Sequence, residues 1–276
     1  MDRRNAMKAA AGIIVGGGAG LFTLTHAFKP EVQSVEKPEK LDYKPDQSTW
    51  NYARLDPIVT AGLAYKYYSE GSCMYAVVKS VVSQLAEKIG EPFTTFPLHL
   101  FKYGHGGVGG YGSVCGTLNG AAALIGLLIT DKNVQDKMII DLFRWYEKEP
   151  LPAFSPITPA YDHLPVKSVS NSVLCHASNT NWCKTAGFKV DSKERKERCR
   201  RMTADVTMKV ATSLNEIFEN AYITSVHTDE TVNTCLTCHG SEGKVNNTAV
   251  KMNCNSCHTE SVGHQVFSDI HYKLMK

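Results

Sequence analysis

Two pentapeptides of one pattern, Cys235-Leu236-Thr237-Cys238-His239 and Cys254-Asn255-Ser256-Cys257-His258, lie fifteen residues apart near the end of a 276-residue chain. In Cys-x-x-Cys-His, two thiols three positions apart can each add to one vinyl group of a porphyrin, while the adjacent imidazole reaches the iron. The pattern is the covalent attachment site of c-type haem, here two haems per chain, with Cys235, Cys238, Cys254 and Cys257 as the attachment thiols and His239 and His258 as proximal ligands. Paired Cys-x-x-Cys units also suit a four-cysteine zinc ribbon. A ribbon has no use for histidine directly after both second cysteines, so the haem reading is preferred. The constraint on the fold is severe. Residues 221–276 are too few to bury two porphyrins alone, so this segment must pack against the rest of the chain, a second copy, or both.

Residues 1–27 read as a targeting segment. Arg3, Arg4 and Lys8 form a charged start, an apolar glycine-rich middle follows, and Thr25-His26-Ala27 is a small-residue cleavage site. The paired arginines point to twin-arginine export, and hence to the periplasm. Gly16, Gly17, Gly18 and Gly20 weaken the stretch as an uncleaved anchor, and no later run is apolar for long enough to span a bilayer. Formal charge is +3, and about +1 once residues 1–27 are removed, which gives no electrostatic case for binding nucleic acid or a membrane surface.

Of nine cysteines, four belong to the haem motifs and Cys73, Cys115, Cys175, Cys183 and Cys199 remain. An odd remainder cannot all be paired, although disulfides are the ordinary use of spare cysteines in an oxidising compartment. The preferred reading is an iron–sulfur cluster held by cysteine thiolates. Twin-arginine export carries cargo that folds, often around a cofactor, before leaving the cytoplasm; haem attachment alone does not require it.

The pattern predicts a mainly α protein: a polar extended arm over 28–52, a helical domain over 53–220 carrying the iron–sulfur site, and an irregular dihaem-binding segment over 221–276. Ser72 is expected to cap a helix whose buried face is Met74, Val77, Val78, Val81, Val82 and Leu85, ended by Gly90 and Pro92. The glycine-rich run 104–112 leads through Cys115 into an apolar helix over 121–129. Without a following Lys-Ser/Thr pair, its glycines are read as allowing close backbone approach to a helix or cofactor rather than as a phosphate cradle. Cys73 and Cys115, each near a helix start, are favoured as thiolates. Val134, Met138, Ile139, Leu142 and Phe143 mark another helix. Residues 150–190 read as a long irregular stretch, and 193–201 as a solvated helix start continued by Val206, Val210, Leu214, Ile217 and Phe218.

Methionine is scarce near the motifs, so bis-histidine ligation is expected. His227 and His264 are the nearest candidates for the distal positions, with His99, His105, His163, His176 and His271 also open. The leader, the five upstream cysteines, the 104–115 loop and the two terminal motifs together resemble the split-Soret cytochromes c of sulfate-reducing bacteria. That resemblance implies a homodimer, two bis-histidine haems per subunit packed against each other, an axial histidine from the partner subunit, and an iron–sulfur centre, [2Fe–2S] by type, in the helical part. This part is also similar to proteins defined by a cysteine, a Gly-Cys-Ala-x-x-Gly motif and two later cysteines. Cys73 and Cys115 match the first two positions, and two of Cys175, Cys183 and Cys199 match the last. Val114 stands where that pattern has glycine, Gly116 replaces alanine, and glycine comes at Gly120, one place late. With no acid–base pair or activated nucleophile evident, an electron carrier serving redox partner proteins is the first reading. A redox enzyme reducing a small inorganic substrate at a haem or cluster iron is the alternative.

Overall fold

Asp56 caps the first helix, α1 (Pro57–Ile89), accepting from the amides of Ile58 and Val59, with proline at the helix start. The structure, a computed structural model, describes residues 38–225 and 230–254. Partway along, α1 breaks: Gly71 and Ser72 leave helical geometry, with Ser72 at φ 65°, and the helix restarts at Cys73. The sequence pattern showed the second half alone because the first half buries few large apolar side chains, with Ala61, Ala64 and Tyr65 at its centre. Gly90 ends α1 with φ 86°.

Three further helices build the body with α1: α2 (Gly116–Leu128) and α5 (Lys193–Phe218), which pack on α1, and α3 (Lys132–Lys148), which packs on α2 and α5. The most extensive pairing is α1 with α5, and α2 packs on both. The core is aliphatic, drawn from Val77, Val81 and Leu85 of α1, Leu118 and Leu124 of α2, Leu142 of α3, and Val206, Val210 and Leu214 of α5. Each such side chain contributes about 1.5–3 kcal/mol by leaving water. The chain is thus mainly α, as its pattern predicted. Among the described residues no helix is long and apolar enough to cross a membrane.

Two expectations need correction. Residues 150–190 are not irregular throughout: β1 (Pro150–Leu151) pairs antiparallel with β2 (Ser168–Val169), and α4 spans Cys175–Ala186. That helix escapes an apolar-period reading because it is rich in Asn, Ser and Thr and buries little beyond Cys175, Ser178 and Trp182. Nor is the run 193–201 solvated throughout: Lys193 and Lys196 are exposed, but the next turn is not. Glu197, Arg198, Cys199 and Arg201 are all buried, Glu197 and Arg201 in an ion pair at 2.7 Å that also receives the Tyr65 hydroxyl.

The described part of the arm is extended and docked. Leu41 and Tyr43 are buried, and residues 39–41 pair with 222–224 through Leu41 N to Tyr222 O (3.0 Å) and Thr224 N to Glu39 O (2.8 Å). Tyr222 donates its hydroxyl to Asp141 of α3 at 2.9 Å, and the Ser225 amide joins at 2.8 Å. The chain arrives at the helical body and leaves it side by side.

Candidate redox centres

Three of the five upstream cysteines stand at helix starts. Cys73 begins the restarted half of α1, Cys115 is the N-cap of α2, and Cys175 is the first residue of α4. There the unsatisfied amides and the helix dipole act toward a negative sulfur, as expected for Cys73 and Cys115, but only Cys115 ends lowered; burial at Cys73, and the bond to Cys115 followed by burial at Cys175, outweigh them. Cys199 lies in the second turn of α5, and all four are buried.

Backbone pairing aligns them. Cys115 N donates to Val173 O and Cys175 N to Ser113 O, both at 2.8 Å, setting the two cysteines beside each other. Close approach then draws in Cys73. A Cβ on Gly116 would lie 2.0 Å from Gly104 O and 3.0 Å from Cys73 Cβ, so only glycine lets the start of α2 sit against the break in α1. Gly120 does the same one turn later, where a Cβ would meet Met74 O at 2.9 Å. The departures from the Gly-Cys-Ala-x-x-Gly pattern therefore keep its packing role. The 104–112 glycines spend their amides internally, with Gly109 N on Tyr103 O, Gly110 N on His105 O and Gly112 N on Gly106 O, in line with a close-packing role rather than a phosphate cradle.

Asn179, one turn along α4, links two thiols: its Nδ2 donates to Cys175 Sγ at 3.1 Å, and Cys199 Sγ donates to its Oδ1 at 3.4 Å. The Cys175 thiol donates to Cys115, and this bond holds the Cys115 thiol down to about 5 against the effect of burial, with help from Thr117 and Tyr146. Cys175 is pushed up as the donor of that bond, then by burial. Cys73 is pushed up by burial first and then by the neighbouring Cys115 and Cys199 sulfurs.

Facing them is a buried cation. Arg198, 1% exposed, donates Nη2 to Ser178 Oγ at 2.8 Å and Nη1 to Cys199 Sγ at 3.8 Å, and its Nε has no partner. Burial opposes its charge, and Cys199, Tyr146 and Cys115 more than offset that opposition. Arg195 approaches the same sulfur at 4.0 Å. A buried guanidinium met by sulfurs rather than a carboxylate fits an anionic, thiolate-bound group. Among the described residues no three His, Cys, Asp or Glu side chains stand close enough to hold a single metal ion. Cys115 and Cys175 stand side by side, Asn179 bridges Cys175 to Cys199, and Cys73 lies against Gly116 at the start of α2. Cys183 is different. It is half-buried two turns along α4, with Arg195, Arg198 and Cys199 as its electrostatic neighbours. Sequence reasoning missed Arg198, Ser178 and Asn179, although Cys199, Met202 and Val206 already carried the buried period through the charged run.

The first haem motif ends α6 (Glu230–His239), a helix where an irregular segment was expected. Cys235 is half-buried and Cys238 exposed. The chain then folds back over the helix end, with Val245 N on Cys238 O at 2.9 Å and Asn247 N on His239 O at 3.0 Å. Asn247 also sets the imidazole, since its Oδ1 lies 2.9 Å from His239 Nδ1. With the proton on Nδ1, that contact leaves Nε2 with its lone pair for an iron. Nothing in the sequence singled out Asn247. Cys254 is half-buried. His99, His105 and His176 are exposed; His163 is half-buried, with Nε2 unpartnered and its ring against Tyr161 and Phe188. The leader, His227, Cys257, His258, His264 and His271 lie outside the described residues.

The chain matches the C_GCAxxG_C_C family of redox-active proteins over residues 75–213, a span that holds Cys115, Cys175, Cys183 and Cys199 and begins just past Cys73. It is 33% identical over 274 residues to the split-Soret cytochrome c of Desulfovibrio desulfuricans, covering 96% of this chain and 97% of that one. This chain belongs to the split-Soret cytochrome c family. A solved structure of the split-Soret cytochrome from D. desulfuricans, reported for a novel iron centre, shares the fold at TM-score 0.71 and 33% identity, over 79% of this chain and 94% of the other. The split-Soret match runs across both the thiol site and the haem motifs, whereas the C_GCAxxG_C_C match stops before the motifs.

Proposed function

We propose that this split-Soret family member is a periplasmic dihaem c-type cytochrome that carries electrons, exported by the twin-arginine route and working as a homodimer. One haem is held by Cys235, Cys238 and His239 and the other by Cys254, Cys257 and His258, with His227 and His264 as distal ligands. The helical domain, 53–220, holds an iron–sulfur cluster of the [2Fe–2S] type on Cys73, Cys115, Cys175 and Cys199, with Cys183 spare. Segment 221–276 carries the haems. The relative's name, cytochrome c, and its reported iron centre support both kinds of cofactor.

The observation that carries the reading is four buried thiols, one of them, Cys199, held by the buried Arg198, in the same chain as two haem-attachment motifs. Haem and cluster supply one-electron chemistry when bound. The chain's own residues keep water from the sulfurs, balance their charge through Arg198 and Arg195, and fix the His239 ring through Asn247. None of these roles needs a substrate cavity.

Visible and pyridine-haemochrome spectra of the purified protein, together with iron and acid-labile sulfide assays, test the reading. Two low-spin haems per chain, a Soret band distorted by haem–haem contact, and non-haem iron matched by sulfide are expected. A protein with haem but no labile sulfide overturns the cluster. A colourless zinc protein overturns the whole reading.

A further inference from the structure

Helix α3 reaches the C-terminal part of the chain at two side chains one turn apart. Asp141 Oδ2 receives the Tyr222 hydroxyl and the Ser225 amide, and Arg144 Nη2 donates to the Lys251 carbonyl at 3.3 Å. Arg144 is otherwise unsatisfied: Nε and Nη1 are both buried with no hydrogen-bond partner. Asp141 is not its counter-ion, and no other carboxylate among the described residues forms an ion pair with it.

Leaving two guanidinium nitrogens dry and unpaired is costly, more so than for neutral groups. Something outside the described side chains is expected to meet them. Lys251, which Arg144 already holds, stands three residues before Cys254, the first thiol of the second haem motif. Haem brings two propionate carboxylates on its edge. Arginine suits such a partner when buried, because it stays charged, is weakly hydrated and offers planar donors to a carboxylate.

We propose that Arg144 binds a propionate of the haem carried by Cys254 and Cys257. The assignment rests on haem attachment at that motif, which the haemochrome count establishes separately. Arg144 holds the propionate on one side and the Lys251 carbonyl on the other, tying the second haem to α3. It also places a fixed positive charge beside that haem, which favours the reduced state.

The test is spectro-potentiometric titration of the full chain carrying Arg144→Gln or Arg144→Lys, with haem content measured alongside. In Arg144→Gln, with both haems attached, the midpoint potential of one haem is expected to fall while the other holds; Arg144→Lys, which keeps the charge, should shift less. Unchanged potentials in Arg144→Gln with two haems per chain overturn the proposal and leave the cytochrome reading intact. Should Arg144→Gln fail to mature, redox-difference infrared spectra of the wild-type protein, grown with and without 15N-arginine, decide the matter. A guanidinium band that shifts with haem oxidation supports the contact, and the absence of any isotope-sensitive band removes it.

Discussion

The cysteines of the helical body and those of the C-terminal segment are prepared for their tasks in opposite ways. In the body, Cys73, Cys115, Cys175 and Cys199 come from four elements and are 7%, 2%, 8% and 4% exposed. Each is placed by tertiary packing: a broken helix, a backbone bridge, a glycine contact and a buried arginine. In the segment, Cys235 and Cys238 sit one turn apart on α6, half-buried and exposed, and their geometry is local. The difference teaches that the body must fold to make its site, whereas the segment needs only a helical turn and gains its burial from the group it receives.

The largest effect separates the two by loss. Cys115→Ser is expected to remove nearly all non-haem iron and labile sulfide while both haems remain, and Cys238→Ala should remove one covalent haem and leave the sulfide. Paired haemochrome and sulfide assays decide it. If either variant loses both cofactors together, the two regions are one folding unit and the contrast fails.

Next comes the charge balance of the body. Arg198→Met keeps the bulk and removes the cation, so the loaded protein should lose about 3 kcal/mol of stability, as when one member of a buried pair is removed. The iron-free protein, with mostly neutral thiols, should lose far less. Denaturant unfolding of loaded and chelated protein measures both, and equal losses would make Arg198 a packing residue.

A smaller effect is the body's response to pH. Asp205, buried in α5, receives the Ala153 amide at 2.9 Å, and burial raises its carboxyl to about 6. A raised acid keeps its proton in the folded chain where the unfolded chain has released it. Stability therefore falls as pH rises from about 4 to about 6, by roughly 3 kcal/mol at most. Asp205→Asn retains an acceptor without the charge, so it should stabilise the body at neutral pH and change little near pH 4. A gain independent of pH would rule out the carboxyl as its source.

The smallest is Cys183→Ser. With four buried thiols already coupled, it is expected to leave iron, sulfide and haem content unchanged, and any loss of sulfide places Cys183 among the ligands.

Legibility in the sequence divides along the same line. The haem motifs are contiguous, so their chemistry was readable from residue order, and the mainly α class followed from apolar spacing in α1, α2, α3 and α5. The burial of Cys175 and Cys199 against the half-exposure of Cys183 was not readable, because it depends on tertiary packing of α4 and α5, and α4 itself lacks an apolar period. Arg198 was misread as solvated because charge in sequence signals water unless a partner is visible; of its partners only Cys199 is adjacent in sequence, while Ser178 and the nearby Tyr146 and Cys115 are brought from other elements. Asn247 was invisible for a similar reason: it matters only because the chain folds back on α6.

The strip where 39–41 pairs with 222–224 acts as a clasp. It joins two points separated by almost the whole body, a loop whose closure entropy must be met by contacts formed within it. The packed helices between them supply those contacts. The C-terminal segment begins at its far side, so the clasp, with the Asp141 contacts to Tyr222 and Ser225, fixes the point from which that segment leaves the body and ties it to the arm as well as to α3.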